Sequence, residues 1–570
     1  MLVSRLVRLL VVLGLGAAWY SLLPPRSLAL PPLPADTPAP IRGAFHVHTV
    51  RSDGTGDVDE VAAAAARAGL RFVIFTDHGD GTRVPDAPGY RHGVLCIDGV
   101  EVSTTGGHVV ALGLSAAPYP LGGKPGDVME DITRLGGLAF AAHPGSAKRE
   151  LRWTNWDAPL DGIEWLNADS EWRDETTWPL VRVLLAFPFR AREALASLLD
   201  RPDEVLAHWD ALTLRRRVSA VAAADAHARI GLTSLGEPYD SGTRLRIPSY
   251  ETMFRTFSIV LSDQVLTGNA TIDAPVVLSA LRAGHVHSLV NALAEPAGMR
   301  FTATSGDNIA GAGDALALDG PVTLRVETHA PPEALVTIFR DGKAFRIGDG
   351  TPLVEVQPAE PAVYRVEVRL PGAPGTPPVP WILSNPIYVG RAVLPGSADV
   401  RKDSHKAAEV FAALYDNGPI APGAIERSEE ARGAFDVVPA SGGNQLKFRY
   451  ALGGRASLSP YVAVVVPAGP RIADYDRLVF TARADRRMRL SVQLRLPGGR
   501  EGERWQRSVY VDETPRSITV YFDEMSPRDS TSRARPVLQG VDSLLFVVDA
   551  VNTALGTSGQ VWLDGIMYAR

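Results

Sequence analysis

The chain has 570 residues, of which 58 are Lys or Arg and 64 are Asp or Glu, so that its net charge at pH 7 is −6. This length exceeds one hydrophobic core and predicts about three domains, and the acidic balance argues against a nucleic acid as the main partner. The single cysteine, Cys96, excludes an internal disulfide and is predicted to be buried within the apolar run VLCIDGVE.

The first predicted segment, residues 1–40, combines an apolar run with a proline-rich linker. Arg5 and Arg8 precede the uncharged run LLVVLGLGAAWYSLL, and PPRSLALPPLPADTPAP follows it. Positive charges before such a run are typical of an export signal, and the run approaches the ~17-residue lower limit of a membrane span. The segment is therefore predicted either to stay uncleaved as a membrane anchor or to be cleaved near residues 27–29. Both outcomes predict an exported protein, periplasmic or extracellular.

Residues 41–300 carry apolar runs that predict β-strands, and most of these runs end in histidine or carboxylate residues. FHVHTVRSDG comes first, followed by FVIFTDHG, VLCIDGVE, LAFAAHPG and VSAVAAADAH. An α/β barrel collects the carboxyl ends of its strands at one face, so these side chains are expected to converge. Because side chains alternate along a strand, His46 and His48 are expected on one face of their strand, and Asp225 and His227 on one face of theirs. Such ligands suit Zn²⁺, Mn²⁺ or Fe²⁺ and predict a multinuclear metal hydrolase.

The chemistry that such ligands support is hydrolysis. Two cations that share a carboxylate also share a water molecule and lower its pKa toward ~7, which gives hydroxide at neutral pH. No G-x-S-x-G motif occurs in the sequence, so a covalent mechanism is not indicated. Asp77 has two interpretations, either a group that fixes the tautomer of a neighbouring imidazole or a strand-end cap with no role at the metal.

Six segments resemble the motifs of the polymerase and histidinol phosphatase (PHP) superfamily in nearly full order: HVHTVRSDG, TDHG, GVE, GGHVVALG, AAHPG and ADAH. The resemblance covers residues 41–300, and SDG and GGHVVALG are most similar to the branch of carbaryl-hydrolase-like proteins. It implies a distorted (β/α)₇ barrel that holds two to three divalent metal ions.

Carried over residue by residue, the resemblance implies three metal positions. The ligands of the first are His46, His48, Glu101 and Asp225. The ligands of the second are Glu101, His108 and His143, with Glu101 as the bridge. The ligands of the third are Asp53, His78 and His227. The residues predicted to act in catalysis are Glu101, Asp225 and Asp77.

The bond that is cleaved stays open between two classes. Cations in predicted loops after the metal motifs would clamp a phosphate ester; they are Arg83, Arg91, Lys148, Arg149, Arg152 and Arg229. Tryptophans around the stretch GIEWLN would instead wall an apolar pocket for a carboxylic or carbamic ester or an amide; they are Trp153, Trp156, Trp172 and Trp178.

Residues 301–390 predict an immunoglobulin-like β-sandwich. Short alternating strands recur in this segment, and turn signals such as Asp341-Gly342 mark hairpins between them. Just before it, His285 and His287 form another alternating pair, but no acidic or glycine signal accompanies them. These two histidines are therefore predicted to be structural.

A linker, residues 391–406, leads to the last predicted domain, residues 407–570. Strands with good alternation predict a jelly-roll sandwich, and its last segment, GQVWLDGIMY, resembles galactose-binding and carbohydrate-binding modules. Exposed rings such as Tyr475 and Trp505 would attach the protein to a glycan or the cell envelope. A spacer domain with both rings buried is the alternative. For the whole chain, a surface glycan-binding protein with an inactive barrel is accordingly a third hypothesis, after phosphoesterase and ester or amide hydrolase.

Overall fold

The computed structural model describes residues 10, 13, 14, 16, 19–35, 39–231, 244–350, 353–391, 393–396, 407–418, 422–440, 442–454, 459–469, 471–528 and 533–570. The protein is mixed α/β, with more strands than helices. It divides into two compact units. Unit 1 comprises Met1–Gly79, Val84–Ser115 and Ile132–Asp399, and unit 2 comprises Asp80–Arg83, Ala116–Asp131 and Val400–Arg570. The domain boundaries given by the sequence stay predictions.

Strands and helices alternate through the first 300 residues. The strands are β1 (Leu28–Ala29), β2 (Ile41–Val47), β3 (Phe72–Phe75), β4 (Gly89–Arg91), β5 (Val94–Thr104), β6 (Gly107–Leu112), β7 (Leu138–Ala141), β8 (Gly162–Asn167), β9 (Ser219–Ala223), β10 (Ile230–Gly231), β11 (Arg244–Leu245), β12 (Ser258–Leu261), β13 (Val286–Leu289) and β14 (Ala294–Glu295). The helices are α1 (Val58–Arg67), α2 (Pro125–Arg134), α3 (Ala168–Arg173), α4 (Thr177–Ala186), α5 (Ala191–Ala196), α6 (Asp203–Thr213), α7 (Tyr250–Thr256) and α8 (Ala270–Ala283).

The strands β2–β9, β12 and β13 belong to one sheet that closes on itself, whereas β1 pairs with β14 and β10 pairs with β11 in separate two-stranded sheets. β2, β3 and β5 run parallel, β6 is antiparallel to β5 and β7, and β7, β8 and β9 are again parallel. Beyond β9, Ala224 N–H donates to the Phe45 carbonyl at 2.8 Å, and His48 N–H donates to the Ala226 carbonyl at 3.0 Å. Two of the short strands, β3 (FVIF) and β7 (LAFA), are apolar throughout, because both of their faces are buried. Assignment to the PHP barrel stays a prediction.

Residues 301–390 continue the same sheet and add a second layer. The strands are β15 (Met299–Ser305), β16 (Asn308–Gly311), β17 (Ala315–Leu316), β18 (Val322–Thr328), β19 (Leu335–Arg340), β20 (Lys343–Gly348), β21 (Leu353–Gln357), β22 (Ala362–Arg369), β23 (Ile382–Ser384) and β24 (Ile387–Val389). β23 pairs with β13, whereas β15, β16, β18 and β21 form a separate sheet. The predicted Asp341-Gly342 hairpin joins β19 to β20.

Residues 407–570 form a β-sandwich, as expected. Its strands are β25 (Phe411–Tyr415), β26 (Ala424–Arg427), β27 (Arg432–Ala440), β28 (Gly443–Ala451), β29 (Tyr461–Pro467), β30 (Arg477–Ala484), β31 (Met488–Arg495), β32 (Arg504–Val511), β33 (Arg516–Tyr521), β34 (Ser526–Pro527), β35 (Ser543–Asp549) and β36 (Ser558–Ala569). Short 3-10 helices are Ile472–Asp474, Gly499–Glu501, Phe522–Glu524 and Leu538–Gly540. Two six-stranded sheets enclose one apolar core. The jelly-roll topology stays a prediction.

Two aromatic residues of this sandwich are not exposed, contrary to one expectation from the sequence. Tyr475 and Trp505 are buried in the core between the sheets, so neither ring is exposed for glycan attachment. The alternative, in which both rings are buried, is the correct one. Cys96 is buried, as predicted.

The terminal and linker segments are described only in part. Residues 1–9, 11, 12, 15, 17, 18 and 36–38 of the predicted export segment lie outside the described residues, as do residues 392 and 397–406 of the linker. Among the helices that the structure describes, none combines the length and apolar character of a membrane span.

Candidate metal centre

Glu101, within β5, is the centre of a largely buried cluster of imidazoles that come from the ends of β2, β3 and β7 and from the start of β6. Its Oε1 atom lies 2.7 Å from His108 Nδ1 and 2.8 Å from His143 Nε2. Its Oε2 atom lies 3.2 Å from His46 Nε2 and 3.3 Å from His48 Nε2. The two oxygens thus face the two groups of ligands that a bridging carboxylate would join.

The first predicted group of ligands is complete. Asp225 Oδ1 lies 3.5 Å from His46 Nε2 and 3.3 Å from His48 Nε2, and the two Nε2 atoms are 3.0 Å apart. All four residues, including Glu101, are buried. β2 delivers both histidines, and the segment after β9 delivers Asp225.

The third predicted group also converges, and His48 joins it. Asp53 Oδ1 lies 3.3 Å from His227 Nε2, 3.5 Å from His48 Nδ1 and 3.8 Å from His78 Nε2. His78 has a second contact, from Nδ1 to Glu101 Oε2 at 3.1 Å. It therefore lies between Asp53 and Glu101, a position that sequence reasoning does not predict.

Partners outside the cluster orient several of the imidazoles. His46 Nδ1 lies 2.5 Å from Glu164 Oε1, His143 Nδ1 lies 3.2 Å from the Leu151 carbonyl, and His227 Nδ1 lies 2.8 Å from the Asp225 carbonyl. These acceptors assign the proton to Nδ1 of each ring. The Nε2 lone pairs then point into the cluster, as metal ligation requires.

The donor set fits a cation. His48 Nδ1 donates to Ser52 Oγ at 3.3 Å, because that hydroxyl gives its own proton to Asp77 Oδ1 at 2.7 Å. His46 and His48 consequently face each other with two Nε2 lone pairs, and carboxylate oxygens surround them. Acceptors packed this closely require a positive charge between them, either a proton or a metal ion. Among the residues that the structure describes, ligand atoms within 4.8 Å of one another occur in three groups, which are His46, His48 and Glu101; His78, Glu101 and His108; and His48, Asp53, His78 and His227.

The backbone is strained where it presents these ligands. His46, His143 and Asp225 have positive φ angles of 64°, 31° and 41°. The pairing of β2 with β3 is irregular between Ala44 and Val47, directly around His46. Each such conformation costs about 1–3 kcal/mol and is typical of functional sites.

The electrostatics of the cluster favour bound positive charge. Burial lowers the pKa of His48, but Asp225 and Glu101 raise it to about 10. Burial likewise lowers the pKa of His143, and its hydrogen bond with Glu101 raises it to about 9. Burial raises the pKa values of Glu101 and Asp225, but the imidazoles outweigh it and hold both well below the usual range. Both carboxylates are therefore charged at neutral pH.

Asp77 is linked to the His48 imidazole through the Ser52 hydroxyl, and its predicted role in fixing a tautomer stays a prediction. Asp77 Oδ1 accepts from the Thr49 N–H at 2.7 Å, and Oδ2 accepts from Thr49 Oγ1 at 2.8 Å. It also accepts from Ser52, which in turn accepts from His48. Asp77 secures the loop after β2 and reaches His48 only through a hydroxyl.

Glu164, within β8, and Asn167, at its end, are site residues that the sequence analysis did not predict. Glu164 Oε2 accepts from the His143 N–H and from Asn167 Nδ2, both at 2.7 Å, while Oε1 faces His46. Asn167 Nδ2 also lies 3.2 Å from Asp225 Oδ2. The available signal was that they are the polar residues of the otherwise apolar strand GIEWLN.

The tryptophans of the predicted apolar wall have separate surroundings. Trp153 is buried and donates to the Asn155 carbonyl, whereas Trp156 stacks on His208 at 4.3 Å. Trp172 packs against another apolar cluster, and Trp178 is exposed. They do not form one wall.

The cations of the predicted phosphate clamp also differ in their positions. Arg229 is buried beside the cluster, where Nη1 donates to the Asp53 carbonyl at 3.0 Å. Arg91 pairs with Asp59, and Arg152 donates to the Ser146 carbonyl. His285 pairs with Asp314 and His287 is buried on β13, and the structural role of both histidines stays a prediction.

Comparisons with known proteins give one sequence relative and several structural similarities. No protein-family model matches the chain. The family 11 carbohydrate-binding module of a cellulosomal cellulase from Clostridium thermocellum is 18% identical, with a TM-score of 0.24 over 28% of this chain and 95% of that module. A module described for specific mannan recognition is 13% identical, with a TM-score of 0.20 over 29% of this chain and 97% of that module.

The sequence relative is an uncharacterized protein of Methanocaldococcus jannaschii. It is 30% identical over 145 residues, which cover 22% of this chain and 82% of the archaeal protein. Since most of that protein is matched at this identity, the chain belongs to the same family as the archaeal protein.

Proposed function

We propose that the protein is a metal-dependent hydrolase of the PHP superfamily that cleaves a phosphoester. The observation that carries the proposal is the contact of Glu101 with five imidazoles, those of His46, His48, His78, His108 and His143. Burial of so many ligating groups around one carboxylate is costly unless cations compensate it.

Two to three divalent ions, Zn²⁺, Mn²⁺ or Fe²⁺, would be held by the three groups of ligands. When bound, they would supply a water of lowered pKa and neutralise charge on substrate oxygens. The protein's own residues hold the ligands in place. Glu164 keeps the His46 proton on Nδ1, and Ser52 does the same for His48. Arg229 orients Asp53.

The experiment uses the full chain, stripped with a chelator and reloaded with each metal. Aryl phosphates and aryl carboxylic esters are offered in parallel, with Glu101→Gln as the inactive variant and the exposed Glu150→Gln as its matched control. Metal-dependent release of phosphate supports the proposal. Cleavage of the carboxylic or carbamic esters alone would favour the alternative hydrolase, and a metal-loaded protein that cleaves neither class would contradict both.

A second proposal, contact with a glycan or the cell envelope, concerns the outer face of the sandwich. Trp562 on β36 lies half-buried on that face, between Lys447 of β28 and Arg483 of β30. The Arg483 guanidinium carbon is 3.7 Å and Lys447 Nζ is 5.5 Å from the ring centroid. A partly exposed aromatic ring with hydrogen-bond donors beside it suits the binding of a sugar. Tyr475 and Trp505 are buried in the core and cannot serve this purpose.

A further inference from the structure

Helix α4 carries an exposed apolar face. Val183 and Ala186 are its buried residues. On the outside, Trp178 is 61%, Leu184 62% and Leu185 45% exposed, and Phe189, three residues beyond the helix, is 65% exposed. Isolated exposed apolar residues are ordinary, but large side chains gathered along one helix indicate an interaction surface.

The N-terminal apolar run extends this face. Residues 19–22 are helical, and the Trp19 ring meets the Phe189 ring edge-on at 4.6 Å. Leu23 packs against the cluster that contains Val183, while Tyr20 is 64% exposed. We call Tyr20, Trp178, Leu184, Leu185 and Phe189 the apolar face.

Arginines border the Phe189 end of the apolar face. Arg190 lies 5.6 Å from the Tyr20 ring centroid and contacts the Pro24 carbonyl. Arg182 Nε donates to the Leu22 carbonyl at 2.8 Å, and Arg26 is exposed. At the opposite end of α4 lies Glu175. The charges are therefore graded along the face, with the positive end beside the N-terminal run.

We propose that the apolar face rests on a lipid bilayer surface, with the Phe189 end among anionic headgroups. Tryptophan, tyrosine and arginine are the side chains that favour the boundary between lipid and water. The N-terminal run, residues 9–23, adds 15 uncharged residues to the segment that contains Trp19 and Tyr20. Apolar area and positive charge both add to such binding.

The first test is flotation of the full chain with phosphatidylethanolamine vesicles, prepared with and without phosphatidylglycerol. The double variant Leu184→Glu/Leu185→Glu is expected to bind at least about tenfold more weakly, since two exposed Leu side chains that would enter the bilayer are replaced by charges. The matched control is Ile309→Glu, because Ile309 is 73% exposed on β16. Equal binding by all three proteins overturns the proposal. Equal binding to both lipid mixtures overturns the contribution of the arginines.

A second measurement does not depend on the folding of the double variant. Cys96 is the chain's single cysteine and is buried, so Leu185→Cys can be labelled with a polarity-sensitive dye, with Ile309→Cys as the control. We expect the emission at position 185 to move to shorter wavelength on vesicles and that at 309 to stay unchanged. No shift at position 185 in vesicle-bound protein overturns the proposal, because the N-terminal run would then bind alone. A shift that depends on protein concentration without vesicles overturns it in favour of a second copy.

Discussion

The metal-ligand cluster and the core of the C-terminal sandwich are both buried, but they are built from opposite chemistry. Between the two sheets of the sandwich lie apolar side chains such as Phe448, Leu490 and Trp505. Around Glu101 lie imidazoles and carboxylates with similarly little exposure. Burial of apolar area stabilises a fold directly, whereas burial of ionisable groups costs free energy unless they are paired. Folding alone explains the sandwich core, but the cluster needs positive charge, which protons on the imidazoles or, as proposed, bound metal ions would supply.

The largest expected effect tests that requirement at Glu101. Glu101→Gln removes the negative charge that five imidazoles surround, so bound metal and turnover should both be lost while the secondary structure is retained. Elemental analysis, a phosphatase assay and circular dichroism measure these properties. Glu150→Gln, on an exposed loop, should behave as the wild type. Full metal content in Glu101→Gln would contradict its bridging role.

A pH series separates protons from metal ions as occupants of the cluster. In the metal-free protein, the pKa values of His48 and His143 are raised to about 10 and about 9. Raised pKa values stabilise the fold below pH ~6.5, and this stabilisation is lost as the pH rises through the folded values. His78 and His287, whose pKa values burial lowers to about 4, disfavour folding below pH ~6.5.

The midpoint of thermal unfolding of the metal-free protein should therefore be highest near pH ~6.5 and fall toward pH ~10. With metal bound, the fall on the alkaline side should be much smaller, because the metal replaces the protons. Calorimetry of both forms across this range is the measurement. Identical profiles with and without added metal would argue that the cluster binds no metal ion.

The sequence allows the convergence of the ligands to be predicted, but not their orientation. Strand ends in a closed sheet meet at one face, which is why Glu101 and Asp225 can be placed together. The role of Glu164 depends on an irregular register between β8 and β9 at Glu164 and Leu166, and alternation does not reveal such a shift. The contacts of Asp77 are made with hydroxyl groups of a loop, and a strand pattern does not predict where such groups lie.

The same limit applies to the sandwich. Alternation in its strands predicts two faces, and the structure confirms a β-sandwich. The alternation does not tell which face of a strand points into the core. The burial of Trp505 and that of Trp562, both in strands with good alternation, therefore cannot be distinguished from the sequence. The structure buries Trp505 and leaves Trp562 on the outer face.

Unit 2 also contains buried charge, and here the pairing is internal. Arg489 on β31 is buried, and its guanidinium donates to Asp131 at 2.7 and 2.9 Å, to Glu130 at 2.9 Å and to the Asp127 carbonyl at 2.8 Å. Arg489→Ala would remove the cation that pairs with the buried Asp131, whose carboxylate also accepts from the Tyr119 hydroxyl at 2.7 Å. The free energy of unfolding should fall by about 3–5 kcal/mol.

Denaturant unfolding of Arg489→Ala measures that loss, with Arg486→Ala as the control because Arg486 is half-exposed beside Asp485. The control should change stability by about 0.5 kcal/mol or less. Metal content should stay at the wild-type level in Arg489→Ala. Loss of metal in this variant would mean that the charges of unit 2 and the metal cluster are not independent.

A smaller effect is expected at Glu164. Glu164→Gln keeps the size of the side chain but replaces the carboxylate that faces His46 Nδ1 with an amide. Removal of such a partner weakens metal binding by about 10–100-fold, while an exposed substitution such as Glu150→Gln should not. Metal titration with a competing chelator measures the affinity. An unchanged affinity would place Glu164 outside the machinery that orients His46.

The smallest effect on stability is expected at Trp562, and the contrast with Trp505 sharpens the comparison within the sandwich. Trp562→Ala removes contacts with Arg483 and Lys447 on the outer face, which are worth about 0.5–1 kcal/mol each at exposed sites, whereas Trp505→Ala opens the core and should cost about 3–5 kcal/mol. If the outer face binds glycan, Trp562→Ala should abolish retardation by soluble polysaccharides in affinity electrophoresis while the sandwich stays folded. Retardation equal to that of the wild type would exclude this face, and a loss of stability as large as that of Trp505→Ala would mean that Trp562 belongs to the core.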